Sequence, residues 1–459
     1  VIRIDVLPDD VLLEIFDFYV EKSPYEGKQR VEAWQSLVHV CRRWRNLVFE
    51  SPRRLSLQLY CTPETPAKDT LDVWPALPLI VEGGMVSSGT DNIIAALGQR
   101  NRVCRVSFWS LAGWQLEQVL AAMQVPFPEL TYLRLYSDGK TMPVIPDSFL
   151  DGSAPRLEIF LLDGIPFPGL PKLHLSVAHL VSLHLVNIPQ SGYISPEVIV
   201  ALISVLSSLE ALSLKFESPQ SRPDRETRRP PPSKRSVIPA LNYFYFKGVI
   251  EYLEDLVTGI DTPQLDDMRI DFFNQIDFDT PRLAHFINRT PKLWKCDTTV
   301  IFDDFFARVT LSPGNLRIGI SCREPDWQLS SIEQVCNSSL HPLSTVEDLY
   351  IKHQHRELVW KDDAIENTLW LQLLHPFTAL KNLYLSEEFA PGIAAALQEL
   401  VGGRITEVLP SLQNIFVKGL ESSGPFQKDI GQFVATQQLS DHPIAVSVWD
   451  DEDSDAESM

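Results

Sequence analysis

Two hydrophobic rhythms divide this chain. In the first fifty residues apolar positions recur every three or four residues. Val11, Leu12, Ile15, Phe16, Tyr19 and Val20 would line one face of a helix opened by Pro8, Asp9 and Asp10. Proline suits the first helical position, where its missing N–H is not needed, and acids in the first turn suit the helix dipole. A second helical face follows at Trp34, Leu37, Val38, Cys41, Trp44, Leu47 and Val48, with Arg42, Arg43 and Arg45 on its polar side and Pro52, Arg53 and Arg54 closing the unit. Between the two faces, residues 21–32 carry Pro24 and Gly27 and read as a loop. Helices this short enclose a very small core and gain stability by packing against something else. They read either as a helical cap on a larger domain or as a docking module with its apolar face meant for a partner.

From about Leu55 the rhythm becomes that of strands. A pattern L-x-x-L-x-L, with other apolar residues substituting, returns at Leu130–Leu135, Leu157–Leu162, Leu180–Leu185, Leu209–Leu214, Leu241–Phe246 and Leu265–Ile270. It returns again at Val346–Ile351, Leu380–Leu385 and Leu412–Val417. Val103–Phe108 is a looser copy; Leu293–Thr298 and Leu316–Ile320 are doubtful ones. The early copies start about 23 to 29 residues apart, and this motif at a period in the twenties is the signature of a leucine-rich repeat. Helical connections are expected at Asn92–Leu97, Trp114–Met123, Pro196–Leu206 and Pro391–Val401. Leu55–Cys61 and Leu77–Gly84 should be the first strands, with a helical Asp69–Trp74 between them. The fold class expected is α+β: a small N-terminal helical domain at residues 1–54, then an irregular α/β leucine-rich-repeat solenoid with a parallel sheet at 55–449. Residues 217–236, rich in arginine and proline, read as a disordered basic insertion. A basic arm for an acidic partner, a phosphorylation-controlled element and a nuclear import signal are the functional alternatives for it. Residues 450–459 read as an acidic disordered tail.

Leu7-Pro8, Ile15-Phe16 and Val40–Trp44 (VCRRW), in that order, resemble the F-box. The residues as far as about Gly84 resemble an F-box group abundant in mushroom-forming fungi. The resemblance implies docking on a Skp-type adaptor, and through it on a cullin scaffold, with Leu7, Pro8, Ile15, Phe16, Val40, Cys41 and Trp44 at the adaptor-facing and core positions of the motif. It implies a substrate-receptor subunit of a ubiquitin ligase that itself catalyses nothing. The loop at 21–32 is several residues longer than the family's usual pattern. The other reading is a repeat scaffold that binds protein or a small molecule, its N-terminal helices serving as a cap.

The net charge of −20 argues against nonspecific nucleic-acid binding, where a basic footprint is expected. Six cysteines without a C-x-x-C pair suggest a reducing compartment, cytoplasmic or nuclear. No apolar run approaches the length needed to span a bilayer, and no secretory signal is visible. The chain opens at Val1 rather than Met, so an upstream segment is expected. No Gly-rich phosphate loop or nucleophile elbow is present, no cofactor is expected, and His353 with His355 is only half a metal site.

Strand alternation points the motif's leucines inward and the residues between and just after them outward. Over the nine clear copies that gives 27 outward positions, of which seven are aromatic, six Lys or Arg and four Asp. Tyrosine and arginine anchor protein interfaces, although tyrosine is also simply a good strand residue. A substrate polypeptide, acidic or phosphorylated, is expected on this face. The residues expected to hold it are Arg134, Tyr136, Tyr243, Tyr245, Lys247, Arg269, Tyr350, Lys352, Tyr384 and Lys418.

Overall fold

The computed structural model describes residues 7–21, 36–50, 57–64, 66–74, 76–84, 89–137, 143–167, 179–219, 235–274, 278–293, 297–303, 305–312, 316–338, 340–353, 367–399, 408–418 and 444–449. The chain divides into two compact units: residues 1–194 with 201–217, and residues 195–200 with 218–459. The N-terminal helices and the early strands therefore fall in one unit. The acidic tail at 450–459 lies outside the described residues.

In the first unit, α1 (Asp9–Glu21) starts one residue after Pro8, whose carbonyl accepts the Leu12 N–H. Residues 36–40 are helical, and α2 (Arg42–Glu50) follows after Cys41. Cys41 is the cap residue of α2: its Sγ accepts the Trp44 N–H at 3.4 Å. Leu12, Leu13, Phe16, Leu37, Val38 and Val48 are buried, and the Phe16 and Trp44 rings meet at 4.7 Å between centroids. Arg43 ties the start of α1 to α2, donating to the Leu7 carbonyl at 2.6 Å and from Nε to Asp9 Oδ1 at 3.1 Å.

Seven parallel strands follow, each paired with the next: β1 (Leu57–Tyr60), β2 (Leu79–Gly84), β3 (Val103–Leu111), β4 (Tyr132–Ser137), β5 (Ile159–Asp163), β6 (Ser182–Ile188) and β7 (Ala211–Phe216). Helices α3 (Ala67–Val73), α4 (Thr90–Leu97) and α5 (Gly113–Ala122) connect the early rungs. α6 (Pro196–Ile203) lies across the division between the units. The repeat motif holds the same place in each rung. Leu130, Leu157, Leu180 and Leu209 are buried just ahead of their strands, and the two later apolar residues of each motif, Phe160 among them, are buried within them. Each rung is also stitched by one carbonyl that accepts two N–H groups of the next. Thr131 O takes Glu158 and Ile159, Glu158 O takes Val181 and Ser182, and Val181 O takes Glu210 and Ala211.

In the second unit the strands are β9 (Tyr243–Gly248), β11 (Asp267–Phe273), β12 (Asp297–Phe302), β13 (Phe306–Ser312), β14 (Leu316–Ser321), β15 (Asp348–His353), β16 (Asn382–Leu385), β17 (Asn414–Lys418) and β18 (Ala445–Trp449). Helices α7 (Ile250–Thr258), α8 (Pro281–Asn288), α9 (Pro325–Ser338), α10 (Asn367–Leu374) and α11 (Ala390–Gln398) connect them. A core of aromatic residues lies between, including Phe246, Phe272, Phe278, Phe302, Trp370 and Phe389. Each such ring removed from water is worth roughly 1.5–3 kcal/mol.

The expected run of parallel rungs is broken at one place. The doubtful motif copies at 293–298 and 316–320 are not successive rungs. β12, β13 and β14 form an antiparallel meander set into the sheet in reverse, so that β11 pairs with β14, and β12 pairs with β15. Of the predicted basic insertion, residues 220–234 lie outside the described residues. Ser236 and Val237 form β8 and pair with β10 (Ile260–Asp261), while Arg235 sits 3.9 Å from Asp261. Among the described residues, no helix is long and apolar enough to cross a membrane.

One buried acid joins two connections. Glu254 on α7 accepts the Arg282 N–H at 3.1 Å and the Leu283 N–H at 2.7 Å, at the start of α8. Thr280, the cap residue of α8, makes no side-chain cap bond, so Glu254 takes over its role from the neighbouring rung. Burial raises the Glu254 pKa above its ordinary value against the opposing pull of those two hydrogen bonds.

Candidate functional site

Alternation along every motif strand buries the leucines and leaves the residues between them half-exposed, as the sequence predicts; Ser213 and Ser386 alone among the 27 outward positions are buried. Of the ten expected binding residues, Arg134 and Tyr136 stand on β4 in the first unit, with Arg134 exposed. In the same unit His184 Nδ1 and Ser213 Oγ lie 2.9 Å apart, and burial, helped by Lys215, lowers the His184 pKa. The other eight share one face of the second unit.

On that face, strand register sets side chains into rows that run across the sheet. One row reads Tyr245, Arg269, Arg317, Thr310, Thr299, Tyr350, Tyr384, Phe416 and Ser447. The next reads Lys247, Asp271, Gly319, Arg308, Ile301 and Lys352. The meander therefore parts Arg269 from Tyr350 by three strands, where successive repeats would have made them near neighbours.

At one end of the first row the rings form a ladder. Tyr350 and Tyr384 stack at 4.3 Å and 11°, and Tyr384 and Phe416 at 4.6 Å and 10°. Trp449 packs against Tyr350 and Tyr384 at 5.8 and 5.5 Å. Lys352 Nζ lies over the Tyr350 and Trp449 rings at 5.5 and 5.1 Å. Beside the ladder runs a polar one: Asn382 Nδ2 donates to Asp348 Oδ1 and Asn414 Nδ2 to Asn382 Oδ1, both at 2.7 Å. Such cross-strand pairs lock the ring positions. Lys418, expected at the site, stands half-buried on β17.

At the other end the charges are largely committed. Arg269 donates from Nε and Nη2 to the two carboxylate oxygens of Asp267, at 3.2 and 3.1 Å, and its guanidinium lies 5.3 Å from the centre of the Tyr243 ring. The hydrogen bond to Asp267 raises the Arg269 pKa further. The Tyr245 hydroxyl donates to Asp271 Oδ2 at 2.5 Å; burial, then the charge and hydrogen bond of Asp271, push its pKa well up. Burial likewise raises Tyr243. Lys247 lies 5.4 Å from the Phe273 ring centre.

Between these ends stand two cations the motif reading missed. Arg308 on β13 and Arg317 on β14 both point to this face, Arg308 lying 4.7 Å from the Phe306 ring centre. Among the described residues neither makes an ion pair, and Arg317 Nε is buried without a hydrogen-bond partner. They lie in the meander, which has no L-x-x-L-x-L signature. The signal that could have found them is local: Ser312-Pro313-Gly314 between two alternating apolar runs marks a hairpin.

Of the N-terminal positions, Phe16 is fully buried and Trp44 half-buried against it, so Phe16 stands at a core position of the segment and not on its outer side. Pro8, Ile15, Val40 and Cys41 are exposed and Leu7 is half-exposed. His353 closes β15, its backbone N–H held by Ser386 Oγ at 3.1 Å; His355 lies outside the described residues. Among the described residues no three His, Cys, Asp or Glu side chains gather closely enough to hold a metal ion.

No protein-family model matches the chain, and no curated protein matches it. Among solved structures, the leucine-rich repeat-containing protein LegL7 from Legionella pneumophila is similar over 83% of this chain and 97% of its own, at 13% identity and a TM-score of 0.29.

Proposed function

We propose that this chain is a substrate receptor of a Skp-cullin-F-box type ubiquitin ligase. In this reading the N-terminal helices dock on the Skp-type adaptor, and the open sheet face of the second unit binds the substrate polypeptide. The observation that carries it is the outer side of the helical segment. Val11, Ile15, Phe18, Tyr19 and Val40 are 39%, 45%, 60%, 50% and 59% exposed, although Phe16 and its neighbours already fill the small core. Apolar surface in excess of what the core needs marks a docking face. The motif order Leu7-Pro8, Ile15-Phe16, Val40–Trp44 supports the adaptor as the partner. The receptor's contribution is proximity, since holding a substrate beside a charged transfer partner raises its effective concentration.

The test is co-purification of the full chain with a purified Skp-type adaptor. Wild type should be retained, and an Ile15→Asp/Val40→Asp variant should be lost while its thermal unfolding stays unchanged. If the wild type is not retained, the helices are a cap and the chain is a repeat scaffold with no ligase role. A Tyr350→Ser/Tyr384→Ser variant should keep the adaptor and lose substrate.

A further inference from the structure

The charge and ring pattern of the second unit's open face specifies more than a generic polypeptide. We infer that this face reads two points on one extended segment: a phosphorylated side chain at Arg308 and Arg317, and an aromatic side chain at the Tyr350–Tyr384–Phe416 ladder, four residues away. This rests on the proposed role of the face as a polypeptide-binding surface and adds the chemistry of what it selects.

The cation site follows from the register. Thr310 faces Arg317 and Arg308 faces Gly319, so the two arginines are diagonal neighbours on adjacent antiparallel strands. Diagonal neighbours stand roughly 7–8 Å apart, so both guanidinium groups reach one phosphate once Arg308 swings off the Phe306 ring. A phosphate near neutral pH carries close to two negative charges, matching two arginines that share no acid among the described residues, and guanidinium–phosphate bonds are charge-assisted. Gly319, between Arg308 and Asp271 in its row, is buried, and the Asp271 carboxylate lies over it. A Cβ on Gly319 would stand only 2.5 Å from Asp271 Oδ1, and the other oxygen of Asp271 is taken by the Tyr245 hydroxyl. Arg269 is held by Asp267, so the phosphate falls to the arginines of the meander.

The spacing follows from the sheet. Arg317 and Tyr350 lie in one row with β13 and β12 between their strands. Three strand steps at about 4.8 Å each make roughly 14 Å, and an extended chain covers that in about four residues at about 3.3 Å each. A segment crossing the strands would thus place its phosphate and its ring at positions i and i+4. The ladder also argues against single-stranded nucleic acid, the other ligand that combines phosphates with stacking. Tyr350, Tyr384 and Phe416 are stacked on one another, so the faces between the rings are closed to a base. Ring edges suit a side chain packed in T-shaped contact, as Trp449 is on Tyr384.

The experiment is fluorescence anisotropy on the full chain, using labelled ten-residue peptides of Gly, Ala and Thr that carry one phosphoserine and one tryptophan. The i,i+4 peptide should bind at least tenfold tighter than its unphosphorylated form and than an i,i+1 version. Arg308→Gln/Arg317→Gln should remove the preference for phosphate, and Tyr384→Ser the preference for tryptophan. Tyr384→Phe, which keeps the stack, should bind as wild type. Equal binding of all three peptides, no binding of any, or preferential binding of an oligothymidine probe overturns the inference. The broader reading stands or falls separately, on whether Tyr350→Ser/Tyr384→Ser loses substrate while retaining the adaptor.

Discussion

Replacing Glu254 with alanine removes the acceptor that caps α8 from the neighbouring rung. Two N–H groups lose their partner, one of them fully buried at Leu283 and the other part-buried at Arg282. A buried donor left unsatisfied costs about 1–3 kcal/mol. With the part-buried Arg282 N–H at the low end of that range, the loss is about 2–4 kcal/mol. At about 2–4 °C per kcal/mol for a unit of this size, the melting transition of the second unit should fall by roughly 4–16 °C. Glu254→Gln keeps one accepting oxygen and should lose about half as much. The pH dependence has a definite sign. Because burial raises the folded pKa of Glu254, protonation favours the folded state, so the stability this residue adds grows as pH falls through its raised pKa and is smallest at neutral pH. The wild-type advantage over Glu254→Ala should therefore widen in mildly acidic buffer. Circular dichroism melts at several pH values give the stability difference, and amide exchange at Leu283 reports the bond itself. A loss under about 1 kcal/mol with Leu283 exchange unchanged would refute the reasoning and mean that water replaces the carboxylate.

Gly319→Ala places a Cβ 2.5 Å from Asp271 Oδ1, so the carboxylate must turn and release the Tyr245 hydroxyl. Since Asp271, after burial, holds the Tyr245 pKa up by charge and by that bond, ultraviolet titration should show one tyrosine ionising at lower pH than in wild type, with a stability loss of roughly 1–2 kcal/mol. Thiol labelling should divide the described cysteines. Exposed Cys41 should react in the native state, and Cys41→Ser should abolish that fast reaction. Buried Cys61, its thiol pushed up to about 12, and buried Cys336 should react only on unfolding; fast native labelling of either would show that its rung opens.

The repeat motif made most of the fold readable. A leucine that returns at a fixed place in each rung fixes strand, register and outward face together, so Tyr350, Tyr384 and Phe416 could be assigned to one surface from spacing alone. Pairwise commitments were not readable. Arg269 looks like a free cation in sequence, yet Asp267, two residues away on the same side of the strand, holds it. Arg308 and Arg317 look like background charges until the meander brings them between the tyrosine clusters. Strand order is a long-range property: nothing within residues 297–321 states that β14 rather than β12 will meet β11. The capping role of Glu254 was hidden for the same reason, its partners lying on the next helix.

The meander also dictates an order of events during folding. In a plain repeat array each rung is templated by the one just before it, so structure can spread along the chain as it is made. Here β11 cannot be followed by the next strand in sequence. Its edge waits until residues 316–321 exist, and only then can β13 and β12 fill in behind them and offer an edge to β15. During synthesis the second unit must therefore pause with β11 uncovered, a long-range closure inside an otherwise local fold. An unpaired strand edge is where chains join wrongly. Nascent chains halted between β12 and β14 should be the aggregation-prone species of this protein, and those halted just beyond β14 should not.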